Sequence, residues 1–94
     1  MLIVAGHLQV DPSQRDAYLE AAAAVTRLAR AQPGCLAFVQ AADPLEPDRI
    51  AVYERWADEA SLLAFRTSDP DAPPLPELQG ADVRRFDVAR EGPP

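Results

Sequence analysis

The spacing of apolar and polar positions along this chain predicts four strands and two helices. In residues 2–10, Val4, Leu8 and Val10 fall on one side of an extended strand and Ile3, Ala5, His7 and Gln9 on the other. Both sides carry apolar residues, so the strand is expected to be covered on both, with His7 inside. Asp11-Pro12-Ser13-Gln14 then reads as a helix start: Asp11 at the N-cap, Pro12 at the first helical position, and Gln14 placed to reach back in a capping box. Tyr18, Ala22, Val25 and Ala29 recur at helical period to about Ala31, with Leu28 widening the stripe, until Gln32-Pro33-Gly34 stops the helix. Residues 35–42 form a second strand in which Leu36 and Phe38 are expected to share a side. Residues 50–56, β-branched and aromatic, form a third strand that Trp56 closes. Asp58 caps a second helix bearing Leu62 and Phe65, and residues 82–90 return to strand composition around Phe86 and Val88.

The order is βαββαβ. Fold class is therefore α+β: a ferredoxin-like split-βαβ arrangement, with four antiparallel strands and two helices on one face. The chain is expected to form one domain over residues 1–94, with a proline-rich loop at 69–80, a candidate lid, and a tail at 91–94. Two helices cover one side of such a sheet. Apolar residues on the other side predict a homodimer formed sheet to sheet.

Composition narrows the partners. With 94 residues, the chain buries only about 60–65% of its unfolded surface alone, which again favours a second copy. A net charge of −6 disfavours nucleic acid and anionic membranes, and the Arg84-Arg85 pair is too short to reverse that. No apolar run approaches the ~20 residues of a membrane span, and residues 1–6 lack the form of a signal peptide, so the expected location is cytoplasmic. All nine basic residues are arginine, with neither lysine nor asparagine, a bias in keeping with a G+C-rich bacterial genome. Cys35 is the single cysteine and reads as a small packed hydrophobe.

The stretch Ile50-Ala51-Val52-Tyr53-Glu54-Arg55-Trp56, followed by Asp58-Glu59-Ala60-Ser61-Leu62-Leu63-Ala64, resembles the signature of the antibiotic biosynthesis monooxygenase family, small dimeric α/β-barrel proteins. Gln32-Pro33-Gly34-Cys35 is similar to that family's E-P-G-C turn. The resemblance covers nearly the whole chain and implies a dimeric α/β barrel. Its relatives include cofactor-independent oxygenases of aromatic polyketides, heme degraders and isomerases, so the fold does not by itself choose the reaction. Two positions depart from the pattern. Many members carry a histidine where this chain has Phe65, and heme-degrading members carry an asparagine near the end of strand one and a histidine beyond the second helix. Here the sole histidine is His7, and heme ligation of that kind is not expected.

One histidine and one cysteine do not supply the three or four converging ligands of a usual metal site, so no metal is expected. No dinucleotide, P-loop or serine-hydrolase motif occurs, and no cofactor is implied. Cofactor-free chemistry remains, and the family resemblance implies a monooxygenase, needing neither metal nor flavin, that acts on a small aromatic substrate (a phenol, an anthrone or a quinol) in secondary metabolism. Such a substrate, once deprotonated, can pass an electron to O2 itself, so the protein needs a base and a dry pocket. His7 is the expected base, since imidazole as a side-chain type exchanges protons near neutral pH. Tyr53 is a candidate hydrogen-bonding partner for a carbonyl, equally readable as simply packed. Trp56, Phe65 and Phe38 are the candidate aromatic walls, each equally readable as core. Glu54, an acid in an apolar strand, is expected in a structural ion pair with Arg84, Arg85 or an arginine of a second chain. Two other functions fit the same residues: a non-catalytic dimer that binds a small molecule or is purely structural, and an isomerase or cyclase acting on a polyketide.

Overall fold

The computed structural model describes residues 1–67 and 75–94. Element order is β1 (Leu2–Gln9), α1 (Arg15–Ala31), β2 (Cys35–Ala42), β3 (Arg49–Trp56), α2 (Glu59–Arg66) and β4 (Gly80–Asp87). The strands form one antiparallel sheet in the order β2-β3-β1-β4, which is the ferredoxin-like topology read from the sequence. The expected loop at 69–80 lies partly outside the described residues, and its last position, Gly80, is already in β4. With extents of 38 × 35 × 18 Å, the molecule is a slab two layers thick, helices on sheet.

Register assigns every strand residue to a side. On the helix side, Leu2, Val4 and Leu8 of β1 meet Ile50, Val52, Glu54 and Trp56 of β3, with Phe38 of β2 beyond. Tyr18, Ala22 and Ala29 of α1 and Leu62 of α2 close over them as a buried core. On the other side lie Ile3, Ala5 and His7, flanked by Ala51, Tyr53 and Arg55 of β3 and by Asp82, Arg84 and Phe86 of β4. Among the described residues, no helix covers this second side, and Val39, Tyr53 and Phe86 are exposed.

Three local expectations are corrected. Asp11 caps a 3-10 turn over Pro12–Gln14 before α1, accepting from the Ser13 amide at 2.9 Å, and Gln14 makes no capping hydrogen bond with its side chain. Leu28 points away from the core, 48% exposed. Leu36 does not share a side with Phe38. A bulge between Cys35 and Ala37 leaves it unpaired, so Cys35 and Phe38 face the helices while Leu36 is 48% exposed.

Two glycines hold these elements close. Gly6 has φ +152°, and a Cβ there would strike the Asp82 carbonyl of β4. At Gly34, φ is +87° and a Cβ would strike the Ser61 side chain of α2, while the Gly34 carbonyl accepts from the Ala57 amide at 2.8 Å. The exit of α1 is thereby fastened to the entry of α2.

Candidate active site

Strand alternation divides the candidate residues between the two sides of the sheet. His7 and Tyr53 project from the uncovered side, His7 opposite Ala51 and Asp82, Tyr53 opposite Ala5 and Val39. Glu54, Trp56 and Phe38 project to the helix side, where α2 adds Phe65. Within one chain the expected base and the expected aromatic walls therefore cannot converge on one substrate, because the sheet separates them.

The helix side carries the denser chemistry. Trp56 and Glu54 stand two residues apart on one strand and so share a side, and the Trp56 indole Nε1 donates to Glu54 Oε1 at 3.0 Å. That hydrogen bond takes the place of the expected ion pair within the chain. Arg84 pairs with Asp82, and Arg85 pairs with Glu59 and Asp87. Trp56 has no exposed surface and Phe38 is 3% exposed, so both rings are core in this conformation. Phe65 stacks on Trp56 with centroids 5.4 Å apart and meets Phe38 edge-on at 5.7 Å, yet remains only partly buried. Of the three aromatic walls, Phe65 is the least buried.

Burial raises the affinity of Glu54 for its proton, against the smaller opposing effects of the Trp56 hydrogen bond and the positive charge of Arg66. Its neighbour Cys35 is also pushed up, by burial first and by the Glu54 charge second, and its thiol donates weakly to the Ala37 carbonyl at 3.7 Å. A thiol in that state is a poor nucleophile. Sequence reading missed the grouping of Cys35, Glu54 and Arg66. The signal for Glu54 and Trp56 was present in their i, i+2 spacing; the bulge that turns Cys35 toward the helices left none.

Two surface grooves flank β2. One, about 370 Å3, runs along the strand edge past Arg30, Cys35 and Leu36, and the other lies between α1 and Gln40. Neither is lined by His7 or Glu54. Arg30 spends its Nε on the Phe38 carbonyl at 3.0 Å.

The model of one protein family, antibiotic biosynthesis monooxygenase, matches residues 1–70. The chain belongs to the antibiotic biosynthesis monooxygenase family. Solved structures agree on the architecture. A protein from Chloroflexus aurantiacus assigned to the antibiotic biosynthesis monooxygenases is 30% identical, covering 97% of this chain and 96% of its own, with a TM-score of 0.66. A conserved protein of unknown function from Bacteroides thetaiotaomicron is 19% identical, with 93% and 96% covered and a TM-score of 0.79. The heme degrader MhuD from Mycobacterium tuberculosis, holding two hemes in its active site, is 15% identical, with 99% and 100% covered and a TM-score of 0.72. No curated protein matches the sequence.

Similarity to MhuD extends to the fold, and the residues here do not fit a histidine-ligated heme on the helix side. The one imidazole, His7, is on the opposite side of the sheet, and no group of three or more His, Cys, Asp or Glu residues converges among the described residues. Among those residues, no helix is long and apolar enough to cross a membrane.

Proposed function

We propose that this member of the family is a monooxygenase that needs neither metal nor flavin and acts on a small, flat, acidic aromatic such as an anthrone, a phenol or a quinol. The observation that carries the reading is a half-buried carboxylate, Glu54, fixed by the indole of Trp56, which in turn stacks on Phe65. Removal of a proton turns such a substrate into an electron-rich anion that reduces O2 directly. For an anthrone, one O2 is consumed per molecule, the ring CH2 becomes a carbonyl, and the second oxygen atom leaves as water. The protein's part is to bind the ring, accept the proton and exclude bulk water.

The working unit in this reading is a homodimer. The chain exposes 6266 Å2. A compact monomer of its mass exposes roughly 5300 Å2. The excess, about 970 Å2, is somewhat more than the ~800 Å2 that each partner buries in a standard interface. The uncovered side, with Val39, Tyr53 and Phe86, is the surface available for it, and Arg55 Nε, buried there without a partner, is positioned to gain one. His7 and Tyr53 then become interface residues.

Oxygen consumption tests the reaction. Wild-type protein mixed with anthrone in air should take up one O2 per anthrone, with no added flavin or metal. Absence of uptake across anthrone, hydroquinone and 1-naphthol would leave the small-molecule-binding function in its place.

A further inference from the structure

Arg55 is a cation without a counter-ion. It stands on the uncovered side of the sheet, opposite Ile3 of β1 and Ala37 of β2, partly buried, with its Nε shielded from solvent and without a hydrogen-bond partner. Among the described residues, the strands bring three arginines to that side, Arg49, Arg55 and Arg84, and one carboxylate, Asp82. Arg84 takes Oδ1 of Asp82 at 3.1 Å in a pair open to solvent, and Arg49 stands at the rim, where its charge acts on Asp43. Within its own chain, Arg55 cannot reach Asp82. The two are separated by four residues of register and two strands, roughly 16 Å at ~3.3 Å per residue and ~4.8 Å per strand. A guanidinium closed into an interface with no acid opposite it weakens that interface. With a second copy covering this side, the acid has to come from that copy, and Asp82 is the carboxylate that its strands present there.

We propose that the dimer is held in register by a reciprocal ion pair, Arg55 of each chain with Asp82 of the partner subunit. The pair rests on the sheet-to-sheet dimer described above and adds what fixes its axis. A closed dimer is two-fold symmetric, so one such contact entails two. Ala5 occupies the midpoint between Arg55 and Asp82, because β3 and β4 flank β1 and the two residues lie level with Ile3 and His7. A two-fold axis running between the sheets over Ala5, at right angles to the line joining Arg55 and Asp82, sets each guanidinium above its carboxylate. The strands of the two sheets then cross at roughly 70°, close to the orthogonal class of sheet packing. The short side chain of Ala5 leaves the axis clear, and the ~10 Å between packed sheets suits a long side chain meeting a short one. Oδ2 of Asp82, which Arg84 does not use, is the acceptor.

Charge reversal read by light scattering at micromolar concentration tests the pair. In an Arg55→Asp dimer, acid opposes acid at both contacts; in Asp82→Arg, arginine opposes arginine. Each variant should therefore scatter at the chain mass, with circular dichroism like that of wild type. Mixed in equal amounts, the two should return to twice the chain mass, because both contacts of the mixed dimer again join unlike charges. Arg55→Gln, a milder change, should raise the dimer dissociation constant by about 30-fold or more. A monomeric wild-type protein would overturn the dimer and the pair with it. A dimeric wild type whose reversed variants stay dimeric, or whose monomeric variants ignore one another on mixing, would overturn the pair alone and leave a dimer held by apolar contact. Should either reversal fail to fold, Arg55→Gln decides: an unchanged dissociation constant overturns the pair.

Discussion

The two sides of one four-stranded sheet have been put to opposite uses. On the helix side, Leu2, Val4, Phe38, Ile50 and Trp56 are buried, and the lone acid among them is held by a hydrogen bond. On the other side, Val39, Tyr53 and Phe86 are exposed within the chain, and Arg84 and Asp82 pair in solvent. Residues one position apart in sequence thus enter unrelated environments: Tyr53 faces outward and Glu54 inward. In a sheet, adjacency in sequence separates functions, and spacing by two unites them.

Three experiments sharpen or break that comparison, the first having the largest expected effect. Trp56→Ala removes the largest fully buried side chain and the donor to Glu54. Loss of about 3–5 kcal/mol is expected for such a truncation, a large share of the ~5–15 kcal/mol that holds a typical domain together. Urea unfolding should show this as a marked fall in midpoint. An unchanged midpoint would mean that the helix side is not the core.

Phe86→Glu places a charge on the uncovered side, at a ring 51% exposed in the single chain. Circular dichroism should be preserved, while light scattering should fall from twice the chain mass to the chain mass. A wild-type protein already monomeric at micromolar concentration would remove the dimer from the account.

The third experiment concerns pH. Burial makes folded Glu54 hold its proton more tightly than the unfolded chain does, so its contribution to stability is fully present below the ordinary glutamate value of about 4.3. That contribution is lost as pH rises through the higher folded value. Asp11, Asp43 and Asp58 run in the opposite sense. Their carboxylates accept hydrogen bonds from Ser13, from Glu46 and Leu45, and from Ser61, which lowers their proton affinity and stabilises the fold above the ordinary aspartate range. Glu54→Gln should therefore remove the part of the stability profile that declines toward neutral pH and leave the acid-side loss in place. Thermal melts between pH 3 and 8 would show whether the two parts separate.

Much of the fold was legible because period-two and period-3.6 patterns carry it directly. Asp58 caps α2 by accepting from the Ser61 amide at 2.8 Å, and the strand order follows from the element order. The site was less legible for a physical reason. Candidate residues were chosen by chemical type, His7 for its imidazole and Trp56 for its ring, and chemical type does not record which side of the sheet a residue takes relative to another strand. That depends on register between β1 and β3, which long-range pairing sets. The bulge at Leu36 is the same problem on a smaller scale: one extra residue reverses the orientation of everything before it. Glu54 reads as an acid in an apolar strand, for which a cation is the expected partner, and within the chain a neutral indole two residues away takes that place.

The fastening at Gly34 bears on which of the two helices opens first. α2 has eight residues, too few to persist as a helix in water without support, and it is held by the Asp58 cap, the Gly34–Ala57 backbone bond and the buried Leu62. α1 has seventeen residues and lays three buried side chains on the sheet, so it is the slower of the two to open. Phe65 and Arg66 ride on the shorter helix. α2 is thus the element of lower local stability, and its transient detachment would leave the sheet beneath intact.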